Sequence, residues 1–450
     1  MNINLGLYAL LVLIPWVAIS FVRTRKIGRK HSNTFWVLIA IISVLTVPSF
    51  FVRLNMNPTA WQPIGFIPSK GTIALDGNVL ILGGDPVQIY RFQDGEWMQE
   101  ATLTQENSDD SKFGAFVELD GDTAFMVDVD EPHPNGGSGT IYASTYDGAQ
   151  WSSPTRLPIP PDADSDSGSP GTILAADGNV LVNGSNESDV VYVYERETEL
   201  APWKFKTRLL PPAATNRSDD RITGFGPAVA VDGDTIVVGC RESQSGVTVF
   251  VRNRETDQWE FQASLDRYRS FSKPTATPYG TGLGNSVAIE GDVLIAGATG
   301  MNLPDGIVFV YRRNTATGRW KRVDSLTPVG GRALWSLERY FPIFPFFPIP
   351  ALGTYGFGAD VKMSGLNIAV STGNIRNPGR NRVRKDAFVY RQNVEGRMQW
   401  QQQLLLDGKG VPGIGTDYSG GVGISEKNLA AISKLNGEQG ITLFRRRSNY

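Results

Sequence analysis

Phe225-Gly-Pro-Ala-Val-Ala-Val-Asp-Gly-Asp-Thr-Ile-Val-Val-Gly-Cys240 is the stretch whose reading decides the fold. Two apolar runs flank the turn Asp232-Gly233-Asp234, and glycine accepts positive φ there without a Cβ penalty, so the stretch reads as a tight hairpin. The runs are short and β-branched, the composition of buried strands. A third apolar run, Gly246-Val-Thr-Val-Phe-Val251, and a segment opening at Trp259 complete a four-strand phrase.

The phrase recurs. Leu283-Gly-Asn-Ser-Val-Ala-Ile-Glu-Gly-Asp-Val-Leu-Ile-Ala-Gly-Ala298 is followed by Gly306-Ile-Val-Phe-Val-Tyr311 and Trp320. Weaker copies turn at Asp76-Gly-Asn78, Asp120-Gly-Asp122, Asp177-Gly-Asn179, Ser364-Gly-Leu-Asn367 and Ser425-Glu-Lys-Asn428, which makes seven. Four strands per repeat at spacings of 44 to 74 residues is the geometry of a β-propeller blade. The expected fold class is therefore all-β, a seven-bladed propeller preceded by two transmembrane α-helices.

These residues resemble the FG-GAP repeats of integrin α-chain head propellers. Phe-Gly stands at Phe113, Phe225 and Phe357, and the second half of the motif at Val-Gly-Cys 238–240 and Ala-Gly-Ala 296–298. The resemblance covers residues 60–450 and implies seven blades; nothing in the chain resembles the other integrin domains. Calcium-binding members of that family carry Asp-x-Asp-x-Asp-Gly-x-x-Asp in the first hairpin, whereas the best copies here are cut to Asp-Gly-Asp, too few oxygens to wrap the cation. No cofactor is expected. The weak metal candidates are Asp162, Asp164 and Asp166 in Asp162-Ala-Asp-Ser-Asp-Ser-Gly168, read as a solvated acidic loop.

The seventh copy stops after its third strand, Gly440-Ile-Thr-Leu-Phe-Arg445, and Ala60-Trp-Gln-Pro-Ile-Gly-Phe66 looks like an orphan fourth strand, with Trp61 matching Trp97, Trp259 and Trp320. Residues 60–67 are expected to close the last blade, which removes an exposed sheet edge. Turns between strands one and two then share a face with those between three and four, and the chain's entry places that face nearer the bilayer. The opposite face collects the long connections. These hold the sequons at Asn183, Asn186 and Asn216, the His133 loop, the run Phe341-Pro-Ile-Phe-Pro-Phe-Phe-Pro-Ile-Pro350, and the basic loop Arg376-Asn-Pro-Gly-Arg-Asn-Arg-Val-Arg-Lys385.

Residues 5–22 and 34–52 carry no charge, and at about 18 residues each spans roughly 27 Å as helix, enough to cross a bilayer core. Trp16 and Trp36 suit interfacial anchors, and Pro15 is tolerated in a membrane helix. Between the runs lies a basic loop, Arg23-Thr-Arg-Lys-Ile-Gly-Arg-Lys30, which the positive-inside rule keeps cytoplasmic. Residues 1–58 are thus expected as a membrane anchor and 59–450 as an exported propeller, on the extracellular or lumenal side; cleavage of the first run as a signal is the alternative. Residues 1–53 hold six basic residues and no acid, leaving 37 basic against 45 acidic beyond them. So mildly acidic a domain is no general binder of nucleic acid.

Catalytic chemistry is sparse. There are two histidines; His31 sits in the basic loop and His133 stands near Asp128, Asp130 and Glu131, without partners for a Ser-His-Asp system or a zinc site. The single cysteine, Cys240, ends a strand-like run and is expected to be structural and buried. The expected function is a membrane-tethered recognition module binding a protein or glycan. The expected partner-binding residues are Phe341, Phe344, Phe346, Phe347, Arg376, Arg380, Arg382, Arg384 and Lys385. Two alternatives stand beside it: a glycosidase- or lyase-like enzyme with its site at the propeller axis, and a structural subunit of a membrane complex. For the subunit reading the helices offer only Gly6 and Ala9 as a small-residue face.

Overall fold

In the computed structural model the chain divides into two units, Met1–Met56 and Asn57–Tyr450. The structure describes residues 60–105, 112–132, 138–161, 173–185, 189–212, 224–240, 246–265, 282–299, 306–327, 356–373, 387–392, 400–406, 421–435 and 438–447. Both apolar runs, 5–22 and 34–52, lie outside them, and among the described residues no helix is long and apolar enough to cross a membrane.

The second unit is a seven-bladed propeller, seven antiparallel sheets of four strands each. The chain enters with β1 (Trp61–Pro68), which belongs to the last blade. Blade 1 follows as β2 (Ile73–Asp76), β3 (Val79–Leu82), β4 (Val87–Gln93) and β5 (Glu96–Leu103). Blade 2 is β6 (Phe116–Asp120), β7 (Thr123–Pro132), β8 (Ser138–Thr145) and β9 (Thr155–Arg156). In blade 3 the strands are β10 (Ile173–Asp177), β11 (Val180–Gly184), β12 (Val191–Glu195) and β13 (Lys204–Leu209). Blade 4, from the stretch quoted first, is β14 (Phe225–Asp232), β15 (Thr235–Cys240), β16 (Val247–Asn253) and β17 (Gln258–Leu265). Blade 5 repeats it with β18 (Leu283–Glu290), β19 (Val293–Ala298), β20 (Ile307–Arg313) and β21 (Trp320–Leu326). Blade 6 is β22 (Phe357–Ser364), β23 (Asn367–Thr372), β24 (Ala387–Gln392) and β25 (Trp400–Leu406). Blade 7 has three strands of its own, β26 (Val422–Ile424), β27 (Asn428–Leu435) and β28 (Glu438–Arg446), and β1 pairs antiparallel with β28, Trp61 opposite Arg446 and Pro68 opposite Gly440.

In six blades the hairpin between first and second strands turns on a two-residue loop. In blade 4 Asp232 pairs with Thr235, leaving Gly233 at φ 53° and Asp234 to make the turn. A glycine at positive φ in the first central position is the type II′ pattern, whose twist matches that of the strands.

The apolar core is divided among the joints between blades. Each of seven buried clusters draws its residues from two neighbouring blades. An aromatic at or just before the opening of a first strand fills the joint: Phe113, Phe225 and Phe357 are fully buried, and Leu283 takes the place in blade 5. Immediately after it the strand bulges. Phe225 pairs with Cys240 but Ala228 with Gly239, so Gly226 and Pro227 have no opposite residue, and blades 5 and 6 repeat the shift. The bulge presses the backbone against the preceding blade. A Cβ on Gly239 would lie 1.9 Å from the Gly284 carbonyl oxygen, one on Gly297 2.0 Å from that of Gly358, and one on Gly184 2.3 Å from that of Gly226. Only glycine allows main chain to meet main chain so closely.

Outer-rim side chains add ties. The Trp151 indole donates to Glu100 of blade 1, Trp259 to Glu195 of blade 3 and Trp320 to Gln262 of blade 4, at 2.8, 3.0 and 2.9 Å. Arg445 of blade 7 stacks over Phe92 of blade 1 at 4.0 Å. Cys240 is buried and unbridged.

Gly239→Ala is expected to destabilise the propeller by about 3 kcal/mol, because the new methyl overlaps the backbone of blade 5. Gly233→Asn, at a turn with nothing within 4 Å, should cost under about 1 kcal/mol; denaturant unfolding of the two variants compares them directly. Trp61→Ala, which empties the joint between blades 6 and 7, should lose about 4 kcal/mol. An unchanged midpoint would mean that the closing strand contributes little.

Candidate functional site

Seven first strands, β2, β6, β10, β14, β18, β22 and β26, surround the axis, and they line one cavity of about 290 Å³. Where blades 4 and 5 present small or apolar residues along these strands, the hairpin ends present acids. Asp76, Asp120, Asp177, Asp232 and Glu290, each the last residue of its first strand, all face the cavity.

These carboxylates are bonded from blade to blade. Asp76 accepts the Gly121 N–H at 2.8 Å, Asp120 that of Gly178 at 2.6 Å and Asp177 that of Gly233 at 2.5 Å. Asp232 accepts from Gly291, and Glu290 from Gly365 with both oxygens, at 2.9 and 2.7 Å. Each of blades 1 to 5 thus holds the turn glycine of the next. Ser364 and Ser425 stand where blades 6 and 7 would supply the acid, and the contact changes chemistry. Asn367 Nδ2 donates to the Glu426 carbonyl at 3.3 Å, while Asn428 Nδ2 and Ser425 Oγ donate to the Gly77 carbonyl at 2.8 and 2.9 Å. The acceptor is now main chain and the donor side chain.

Three further charged groups lie on the first strands. Lys362 of blade 6 reaches Glu118 of blade 2 at 3.5 Å, and since these blades are not neighbours the contact crosses the axis. Asp360 accepts the Val422 N–H at 3.2 Å. The Glu118 carboxylate raises the pKa of Lys362 above its ordinary value, so the ammonium stays charged. Burial pushes Asp120 up to about 6, with the Asp177 and Asp76 carboxylates adding to it, against the Gly178 N–H bond and Arg196. Glu290 is raised by burial, and Asp232 and Glu426 add to the effect.

Phe341, Phe344, Phe346, Phe347, Arg376, Arg380, Arg382, Arg384, Lys385, Asp162, Asp164, Asp166, His133, Asn186 and Asn216 are outside the described residues. By chain order, residues 328–355 lead into β22 and 374–386 join β23 to β24, so both inserts attach to blade 6. Asn183 departs from the loop position expected of a sequon. It lies within β11, fully buried, with Nδ2 donating to the Ile173 carbonyl at 3.3 Å, and the folded blade leaves no room there for a glycan.

The acids near His133 have partners of their own. Asp128 is buried and accepts the Asp130 N–H, Asp130 pairs with Lys112 at 2.8 Å, and Glu131 accepts the Tyr142 hydroxyl at 2.6 Å. Among the described residues no three His, Cys, Asp or Glu side chains are grouped to hold a metal ion. Glu118, Asp360 and Lys362 were missed by sequence reasoning. The signal was present: Asp360-Val-Lys362-Met-Ser364 puts polar groups at alternate positions of a strand whose counterpart in blade 4 is Ala228-Val-Ala-Val231.

No protein-family model matches the chain, and no curated protein matches it. Among solved structures it is similar to a protein described as a 6-phosphogluconolactonase from Bacteroides uniformis, with 12% identity and TM-score 0.49 over 84% of this chain and 91% of that one. The WD40 repeats of RRP9 align at 10% identity and TM-score 0.47 over 87% and 98% of the two chains. The computationally designed Ika8 protein aligns at 10% identity and TM-score 0.42 over 85% and 99%. At these scores the fold rests on the blade topology itself: the chain is a seven-bladed β-propeller.

Proposed function

We propose that this chain is a membrane-tethered, extracytoplasmic recognition propeller of the FG-GAP kind, rather than an enzyme, with its protein or glycan ligand docking on the loop-rich face at blade 6. The observation that carries the reading is the use to which the axial acids are put. Five carboxylates hold main-chain amides of the next blade, and Glu118 holds Lys362. The acids that an axial hydrolase or lyase would draw on are thereby employed in closing the ring. The two inserts that depart furthest from the repeat flank strands of one blade. They bring aromatic side chains and five basic residues, the types enriched where proteins anchor a partner.

Support for the FG-GAP reading comes from the packing of the motif's own glycines, since the bulge after Phe225, Leu283 and Phe357 lies on a glycine at or next to the end of the preceding blade's second strand. Support for the tether comes from chain order: two uncharged apolar runs around a basic loop end eight residues before the closing strand. Asn186 and Asn216 remain the sequons available on the exported side.

The test compares the full-length chain with a variant lacking residues 341–350 and carrying Arg376, Arg380, Arg382 and Arg384 as Ser, in affinity capture followed by proximity cross-linking. A partner held by the parent and lost by the variant, at unchanged melting temperature, supports docking at blade 6. Equal capture by both moves the binding surface elsewhere. For topology, endoglycosidase treatment of the chain made in glycosylating cells should shift its mobility, and Asn186→Gln with Asn216→Gln should abolish the shift. An unglycosylated parent would speak against an exported propeller.

A further inference from the structure

Asp76, Asp120, Asp177, Asp232 and Glu290 come from five consecutive blades and face one cavity. Each is bound to a glycine amide of the next blade, so none leaves its neighbours without giving up an interblade bond. Fixed like charges around a partly desolvated space favour binding a proton among them. Asp120 is faced by Asp76 from blade 1, by Asp177 from the first strand of blade 3, and by the guanidinium of Arg196, just after the third strand of that blade. That guanidinium is itself committed to Thr123, the Gly178 carbonyl and the Glu199 carbonyl. Glu290 is faced by Asp232 of blade 4 and Glu426 of blade 7.

We infer that the acidic ring is a proton-operated clasp, which takes up protons in mildly acidic surroundings and there holds the blades together more firmly than at neutral pH. A protonated carboxyl keeps a carbonyl oxygen to accept the glycine N–H, and gains a hydroxyl for a neighbouring carboxylate. Acid therefore removes the repulsion, and the interblade bond, weaker without its charge, is kept. The sign is opposite to that of ordinary acid denaturation. The folded value of Asp120, about 6, lies above the ordinary 3.8, so in that window the folded chain binds more protons than the unfolded one. Stability from this group is present at low pH and is lost as pH rises through about 6. Glu290 is displaced in the same direction.

The experiment is denaturant unfolding of the solubilised full-length chain near pH 7.5 and near pH 5, with Asp120→Asn beside the parent. The parent's unfolding constant should fall about tenfold on acidification from Asp120 alone. The variant should lose that share and be at least as stable as the parent at the higher pH. A parent less stable near pH 5, or a variant that keeps the whole increase, overturns the inference. If Asp120→Asn fails to fold, Glu290→Gln is read in the same way. Hydrogen exchange of the Gly178 amide in the parent, corrected for the intrinsic rate, is an independent measure of the same bond. Slower corrected exchange near pH 5 agrees with the clasp, and equal or faster exchange refutes it.

Discussion

Where the second strand of one sheet meets the opening of the next blade's first strand there is no room for side chains between the main chains, and the contact between glycines of successive blades is the constraint from which the rest follows. Gly239 lies on the Gly284 carbonyl and Gly297 on that of Gly358. The approach fixes the angle at which one blade leans on the next. It also explains the bulge, since two unpaired residues after the opening aromatic swing the strand toward its neighbour while the aromatic drops into the joint. Phe225 and Gly226 are thus two halves of one device, the first filling space and the second removing it.

These glycine contacts lie where the first strands open, and at the opposite, hairpin ends polar bonds join the blades instead. A carboxylate one residue before a turn glycine is short enough to reach the corresponding glycine of the next blade, and charge-assisted bonds to main-chain amides are among the stronger kinds. The arrangement brings acids together around the cavity, and burial with mutual repulsion is the physical cost. Arg196 and Arg313 lie behind the ring, each donating both to a threonine of the preceding blade and to the turn carbonyl of its own. Arg196 offsets part of the charge at Asp120, while Arg313 pairs with Asp292.

Most of the fold was legible in the sequence because the glycine contacts and tight turns each demand one residue type at one place. Asp232-Gly233 and Glu290-Gly291 announce hairpins, and Trp61 repeats a position otherwise found at the start of an outer strand. Elsewhere local chemistry overrode the repeat. In blade 2 the repeat calls for a full outer strand from Trp151, but Pro154 interrupts the ladder and β9 is two residues long, with Trp151 joined to Tyr146 by an isolated bridge. In blade 3, Pro202 delays the strand until after Trp203. The axial contact of Lys362 with Glu118 was not legible, because it joins positions 244 residues apart and no local pattern encodes which two strands face each other across a ring. Asn183 misled for a related reason: a sequon is a local motif, and burial is a property of the sheet.

The departures from the repeat are not scattered. Blade 7 is assembled from both ends of the domain, and there the acid of the hairpin is replaced by Ser425 and the interblade bond is made by Asn428 instead. Blade 6 makes the same exchange with Ser364 and Asn367. A neutral amide donor serves the same joint without adding a sixth and seventh charge to a ring that already holds five, and Arg391 and Arg445 orient the two asparagines by donating to their oxygens at 3.1 and 3.0 Å. At their hairpin ends the joints of the seam are therefore closed by neutral side chains, next to five joints closed by carboxylates. Blade 6 borders that seam, and it is also where the long Pro/Phe and basic inserts attach. Away from the hairpin end blade 6 keeps charged contacts, Asp360 accepting the Val422 N–H of blade 7 and Lys362 pairing with Glu118 across the axis, so the blade that carries the inserts joins the neutral seam to the charged cavity.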